Sequence, residues 1–192
     1  MIKYAIVGNI ASGKSTMEKV LEKEGYAVFD TDFMTHDILI DNPEVAKAFC
    51  DYDVFEYGRL SREKLGKLVF SDPELKSKLE SIVHPLIQEE IEQIFKSYCG
   101  EPAVFISVPL LFEVGWEENF DKIIFIETDD NIRLKRLITR NGYSEEYAKV
   151  RISSQMPQEE KAKKSDIILH NNGTISEFEA EIKSFIEKEL KS

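Results

Sequence analysis

Cysteine is scarce in this sequence. The two present, Cys50 and Cys99, stand far apart in 192 residues. They form no metal-ligand spacing and no disulfide framework, so a pair of reduced thiols in a cytoplasmic protein is expected. Basic charge is also short, with 25 Lys and Arg against 36 Asp and Glu and a net charge of -11. That balance argues against nonspecific binding to nucleic acid or to an anionic membrane. No apolar run approaches the roughly 20 residues that span a bilayer. The opening M-I-K-Y-A-I-V-G is too short for a signal-peptide core. Internal repeats and low-complexity segments are missing too. What remains is a chain with 42% hydrophobic and 32% charged residues, suited to one domain over residues 1–192 with its own core.

The apolar pattern alternates strands with helices. Ile2 to Val7 reads as a buried strand and Lys14 to Glu24 as a helix with Met17, Val20 and Leu21 on one face. A second strand follows at Tyr26 to Asp30. From Phe33 to about Tyr98 the pattern is helical, with a stripe of Leu75, Leu79, Ile82, Val83, Leu86, Ile94 and Phe95. Asp72-Pro73 supplies an N-cap and a first-turn proline. His84-Pro85 interrupts the stripe, which predicts a kink or a restart because proline lacks the N–H of the helical ladder. Three more strands are expected at Ala103 to Val108, Lys122 to Glu127 and Ile167 to His170. Helices are expected at 130–140, 144–154 and 158–164, and a last one opens at a Thr174 capping box. Strands separated by helices imply a parallel sheet covered on both faces.

Residues 8 to 16 read G-N-I-A-S-G-K-S-T, directly after the first strand. Gly8 to Ser15 satisfies G-x-x-x-x-G-K-[ST], in which backbone N–H groups surround a phosphate. The lysine of such a loop reaches the β and γ oxygens, and the Ser15 hydroxyl can ligate Mg²⁺. The loop feeds a helix N-terminus, whose dipole favours an anion. No N-K-x-D segment for guanine exists, and the third strand ends in proline rather than in an Mg²⁺-binding acid. The carboxylates fall instead in F-D-T-D, Phe29 to Asp32, a place that suits a base accepting a proton from an attacking hydroxyl. Capping the next helix is the ordinary alternative for Asp30 and Asp32. Nine Lys or Arg stand between residues 133 and 164 against four Glu, a local reversal of sign that suits a lid closing over a triphosphate. Arg136 and Arg140, four apart, share a helix face.

Taken together these segments resemble the dephospho-coenzyme A kinases, over nearly the whole chain. The resemblance rests on the phosphate loop, on D-x-D at Asp30 and Asp32, and on G-R-L-S-R at Gly58 to Arg62. It continues through H-P at 84 and 85, V-P-L-L-F-E at Val108 to Glu113, and R-x-x-x-R at Arg136 and Arg140. It closes with R-I-x-x-Q at Arg151 to Gln155 and S-D-I-I-L-H-N-N-G at Ser165 to Gly173. It implies a P-loop three-layer α/β/α fold with a five-stranded parallel sheet, a helical CoA-binding insertion at 33–98 and a lid at 140–164. The implied activity is transfer of the ATP γ-phosphate to the ribose 3′-hydroxyl of dephospho-CoA, the last step of coenzyme A synthesis.

The same resemblance implies the site. Asp32 would be the general base, with Lys14 and Arg140 stabilising the transferring phosphoryl and Ser15 holding Mg²⁺. Gly8, Asn9, Ala11, Ser12, Gly13, Lys14, Ser15, Thr16, Arg136, Arg140, Asn171 and Gly173 would bind ATP. Asp32, Arg62, His84, Leu111, Phe112 and Glu113 would meet dephospho-CoA. Ordinary structural roles remain open for several of these: a capped core residue for His84, core packing for Leu111 and Phe112, a solvated surface for Arg62 and a helix cap for Glu113. The family usually has glycine where Asn9 and Ala11 stand, and alanine where Ser165 stands. The expected partners are small molecules only, with no nucleic acid or membrane, and a monomer is expected. A kinase of another small metabolite, or a nucleotide-binding switch without transfer, are the alternatives.

Overall fold

The computed structural model describes residues 1–191, the side chains of Ile40 and Asp41 excepted. Ser192, the last residue of the expected domain, lies outside the described residues. The chain divides into two compact units, one of Met1–Phe29 with Tyr98–Ser192 and one of Asp30–Ser97.

The first unit is built on the sheet. Strands β1 (Ile2–Gly8), β2 (Ala27–Asp30), β5 (Ala103–Ser107), β6 (Lys122–Glu127) and β7 (Ile167–His170) lie in the order β2-β5-β1-β6-β7. The central strand β1 pairs in parallel with β5 and β6, and β6 in parallel with β7. Alternate residues of each strand point to opposite faces. Tyr4 and Ile6 enter a cluster with Phe105, Ile124, Ile126 and Leu169. Met17, Val20 and Leu21 of α1 (Lys14–Lys23), and Phe178, Ile182, Phe185 and Ile186 of α10 (Ile175–Glu189), cover that face. The neighbouring residues Ala5, Val7, Val104 and Phe125 are equally inaccessible, so the central strands are buried on both faces, as a parallel sheet requires. Tyr4 stacks on Phe105 with centroids 4.8 Å apart, and Phe185 meets both rings edge-on. The capping box that opens α10 is present, Thr174 and Glu177 each bonding the other's backbone.

The second unit is helical around a long stripe. Helices α2 (Thr31–Asp41), α3 (Pro43–Ala48) and α4 (Arg62–Ser71) pack on α5 (Pro73–Ser97). The buried residues of α5 are Val83, Ile87, Ile91 and Phe95, one every fourth position, which places them on a single face. Leu75, Leu79, Ile82, Leu86 and Ile94, expected to lead the stripe, are only half-buried beside it. Asp72 caps α5 by accepting from Glu74 N and Leu75 N at 2.9 and 3.1 Å.

Two expectations need correction. The helix does not restart at Pro85, which sits inside one continuous 25-residue helix; the flanking turns carry it across the missing N–H. The stretch from Phe33 to Tyr98 is also not wholly helical. Phe55–Glu56 (β3) pairs antiparallel with Arg59–Leu60 (β4). Tyr57 and Gly58 both have positive φ, 51° and 78°, as the tight two-residue hairpin turn demands. The usual signal for that turn is Asn-Gly or Asp-Gly, and tyrosine in the first place hid it.

Candidate active site

The strand registers set the floor of the site. Gly8 lies opposite Ile126, Ile6 opposite Ser107, and Glu127 opposite His170. The chain therefore leaves β1, β5, β6 and β7 at one edge, the carboxyl edge where open α/β sheets bind their ligands.

After β1 the chain turns through residues 9–13 into α1. Gly13 is the helix N-cap at φ 107°, with no side chain capping it, so the first helical N–H groups remain for an external acceptor. A Cβ at Gly8 would overlap Ser12 Oγ, and one at Gly13 would overlap Asn171 Nδ2. Neither position accepts a side chain without movement. Ala11 adopts φ 63° in the left-handed region. Lys14 Nζ donates to the Gly8 carbonyl at 2.6 Å, which keeps the ammonium over the loop. Ser15 is exposed in the first turn of α1, and Thr16 N donates to Gly13 O at 3.0 Å.

The loop is braced from outside. Thr128 Oγ1 and Asn171 Nδ2 both donate to Ser12 O, at 3.1 and 2.7 Å. Arg136, on α7 (Asp130–Asn141), donates to Ala11 O at 3.2 Å and to Asn171 O and Oδ1 at 3.1 and 3.0 Å. Burial lowers the pKa of its guanidinium. Gln155 Oε1 accepts from Ile10 N at 2.7 Å, and Asn9 Nδ2 donates to Met156 O at 3.0 Å. Asn9 thus ties the loop to the chain after α8 (Glu145–Ser153). Its Oδ1 and the Ser12 hydroxyl oxygen are buried without a partner among the described residues.

The expected residues are used in different ways. Arg136 and Asn171 are spent largely on holding the loop. Arg140 is exposed in the last turn of α7, with Nε donating to Asn141 Oδ1 at 3.1 Å. Gly173 is exposed just before α10, where Glu177 fills the space a Cβ would take. Leu111 and Phe112 begin the short helix α6 (Leu111–Val114) and are buried. Glu113 forms an ion pair with Lys161, Oε1 to Nζ 2.8 Å. In the helical unit, Asp30 Oδ1 accepts from Asp32 N at 2.7 Å and caps α2. The Asp32 side chain is exposed in the first turn, and no hydrogen bond or ion pair engages its carboxylate among the described residues. Arg62 opens α4, and its guanidinium meets His36 Nδ1. His84 is half-buried within α5.

Sequence reasoning missed the braces: Thr128, Gln158 and Lys161. Gln158 Oε1 accepts from Thr128 N at 3.1 Å, while its Nε2 donates to Thr128 O and Asp130 Oδ1, both at 2.9 Å. These residues carry no motif of their own. Only the amides of Q-M-P-Q, spaced around a proline, hint that this stretch bonds backbone. The segment expected as a lid therefore has a fastened second half, α9 (Gln158–Lys163), after a more exposed α8 on which Tyr147 and Val150 stand out.

A parallel α/β sheet with a braced phosphate loop between β1 and α1 is the fold of the P-loop phosphate-binding proteins. Shikimate kinase from Bacteroides thetaiotaomicron shares this fold, with a TM-score of 0.55 at 12% identity, over 97% of this chain and 96% of that one. The family model for dephospho-CoA kinase matches residues 2–177. The dephospho-CoA kinase of Symbiobacterium thermophilum is 37% identical over 93% of this chain and 77% of its own length. That of Listeria monocytogenes is 35% identical over 97% and 96%. The solved dephospho-CoA kinase of Campylobacter jejuni superposes with a TM-score of 0.79 at 32% identity, covering 98% of this chain and 97% of that one. The chain belongs to the dephospho-CoA kinase family.

Proposed function

We propose that this protein transfers the γ-phosphate of Mg²⁺-bound ATP to the ribose 3′-hydroxyl of dephospho-CoA. The observation that carries the reading is the braced phosphate loop, whose helix-terminal N–H groups and Lys14 ammonium match a polyphosphate, in a chain of this family.

The Ser15 hydroxyl would hold Mg²⁺, which would supply positive charge against the phosphates. Lys14 and the loop N–H groups orient the triphosphate. Asn171 and Gly173, beyond the end of β7, are proposed beside the adenine. Asp32 accepts the proton of the 3′-hydroxyl as its oxygen bonds to the γ-phosphorus. The bond from that phosphorus to the β–γ bridging oxygen breaks, and ADP leaves with the electron pair. The free carboxylate of Asp32 supports this role, since Asp30 already serves as the cap. Arg140, exposed and unburdened by loop contacts, suits stabilisation of the transferring phosphoryl better than Arg136, whose donors are already engaged.

The helical unit, with Arg62 and His84, is proposed to hold the CoA moiety, and the 109–113 segment with Leu111, Phe112 and Glu113 to line the acceptor. The lid narrows to the part of 140–164 before Gln155. Closure there would exclude water from the phosphoryl. No helix among the described residues is long and apolar enough to cross a membrane, and small molecules are the proposed partners of a cytoplasmic enzyme.

The test is incubation of the protein with Mg²⁺-ATP and dephospho-CoA, alongside adenosine, AMP and shikimate as rival acceptors. Phosphorus NMR of the product should show a 3′-phosphomonoester on CoA alone. Turnover of another acceptor but not of dephospho-CoA would refute the assignment.

A further inference from the structure

Lys161 is a fully buried ammonium on α9, with no accessible surface. Its Nζ reaches the carboxylate of Glu113 at 2.8 Å and donates to the Pro109 carbonyl at 3.2 Å. A buried charge is tolerated only with such partners. Three residues on, Lys164 Nζ approaches Glu117 at 3.6 Å and lies 5.4 Å from the centre of the Phe112 ring. The turn of α9 bearing these lysines is thus riveted to residues 109–117. The other end of the same short helix is tied elsewhere. Gln158 clasps Thr128 and Asp130, while Gln155 and Met156, just before the helix, hold Ile10 and Asn9 of the phosphate loop. One six-residue helix therefore carries the phosphate loop's brace at its start and the segment after β5 at its end.

Stability alone does not explain a lysine in that place. A buried ion pair is often no better for folding than apolar residues of the same volume, and α9 could have packed with leucine. What the lysine adds is direction. It fixes both the carbonyl at the start of the 109–113 turn and the carboxylate near its end, from one rigid helix that also registers the donor loop.

We propose that Lys161 is a positioning residue for the acceptor substrate: by holding Pro109 O and Glu113 on α9, it sets the 109–113 segment at a fixed offset from the phosphate loop. The inference rests on the reading of that segment as the acceptor-lining one. Glu113, with 26% of its side chain exposed, is then an aimed acceptor for a hydroxyl or amine of the incoming nucleotide.

The test is steady-state kinetics of Lys161→Met and Lys161→Arg with Mg²⁺-ATP and dephospho-CoA varied separately. Methionine keeps the buried stem and removes the ammonium, leaving Glu113 able to turn to water. Its KM for dephospho-CoA should rise about tenfold or more, because small misplacements of a positioning group are costly. Its KM for ATP should stay within about twofold of wild type, and the arginine variant should recover most of the loss. Should the methionine variant not fold, Lys161→Gln, uncharged and still a donor, should show the same split more weakly. Equal changes in both KM values, or an unchanged KM for dephospho-CoA in a folded variant, would overturn the inference. Wild-type protein that leaves dephospho-CoA untouched would instead overturn the functional reading on which it rests.

Discussion

Replacing Ala11 by glycine should make the protein more stable, although it removes a side chain from the phosphate loop. Ala11 holds φ 63°, and a non-glycine residue in the left-handed region costs about 1–2 kcal/mol because its Cβ crowds the following carbonyl. Glycine relieves that cost. It also gives the unfolded chain more freedom, which returns about 0.4–1 kcal/mol in the opposite direction. The loop's own bonds are not at stake, since Arg136 binds the Ala11 carbonyl, at 3.2 Å, and not its methyl. Taking the middle of each range, about 1.5 less about 0.7, leaves a net stabilisation of roughly 0.8 kcal/mol. For a chain of this length that is a rise in Tm of about 1–4 °C. Trp116 is the single tryptophan and is buried in the sheet-bearing unit, so its fluorescence in a urea titration follows the unit that contains the loop. A midpoint that falls for Ala11→Gly would mean that the methyl contributes packing the backbone argument ignores. An unchanged midpoint would mean that the loop relaxes its φ at no cost.

Two further outcomes follow from the fold. The Tyr4 hydroxyl is buried without a partner among the described residues while its ring stacks on Phe105. Tyr4→Phe should keep the stack and gain about 1 kcal/mol by removing an unsatisfied oxygen, and a lower urea midpoint would contradict this. The Glu177 carboxylate accepts from the backbone N–H and then the hydroxyl of Thr174, which lowers its pKa. A carboxylate depressed on folding contributes stability that is present above its unfolded pKa and fades as pH falls through the lower folded value. Acid titration by NMR should show Glu177 titrating below an ordinary glutamate, and Thr174→Ala, which removes the hydroxyl but keeps the backbone N–H, should bring it only part of the way back. No change in that variant would refute the hydroxyl's share of the shift.

The sheet was legible in the sequence because its strands are short, apolar and bounded by glycine, proline or polar clusters, as at Lys122–Glu127 and Ile167–His170. The phosphate loop was legible because its chemistry fixes residue types at fixed spacing. The hairpin at Phe55–Leu60 was hidden, since two-residue strands carry no periodicity and Tyr57 is an unusual choice for a positive φ. The continuity of α5 through Pro85 was equally hidden. A proline's local preference was outweighed by a face of Val83, Ile87, Ile91 and Phe95 that packs on both sides of it. In the site, the phosphate-loop residues could be named from spacing and the acceptor-side candidates from the family resemblance, but their supports could not. Thr128, Gln158 and Lys161 act through backbone carbonyls and single partners that are distant in the chain, and only the fold brings these together. Asn9 shows the same limit. Its place in the loop could be read from the motif, whereas its bond to Met156 shows only in the fold.

The most direct test of the account is the rate of dephospho-CoA phosphorylation by the wild type and by Asp32→Asn, with ATP affinity measured in parallel. Asparagine keeps the shape of the side chain and cannot accept the proton. The turnover number should fall by about 10² to 10⁴-fold, the usual worth of a general base, while ATP binds as before. Turnover near the wild-type rate in Asp32→Asn would contradict the central claim that this carboxylate takes the proton from the acceptor hydroxyl.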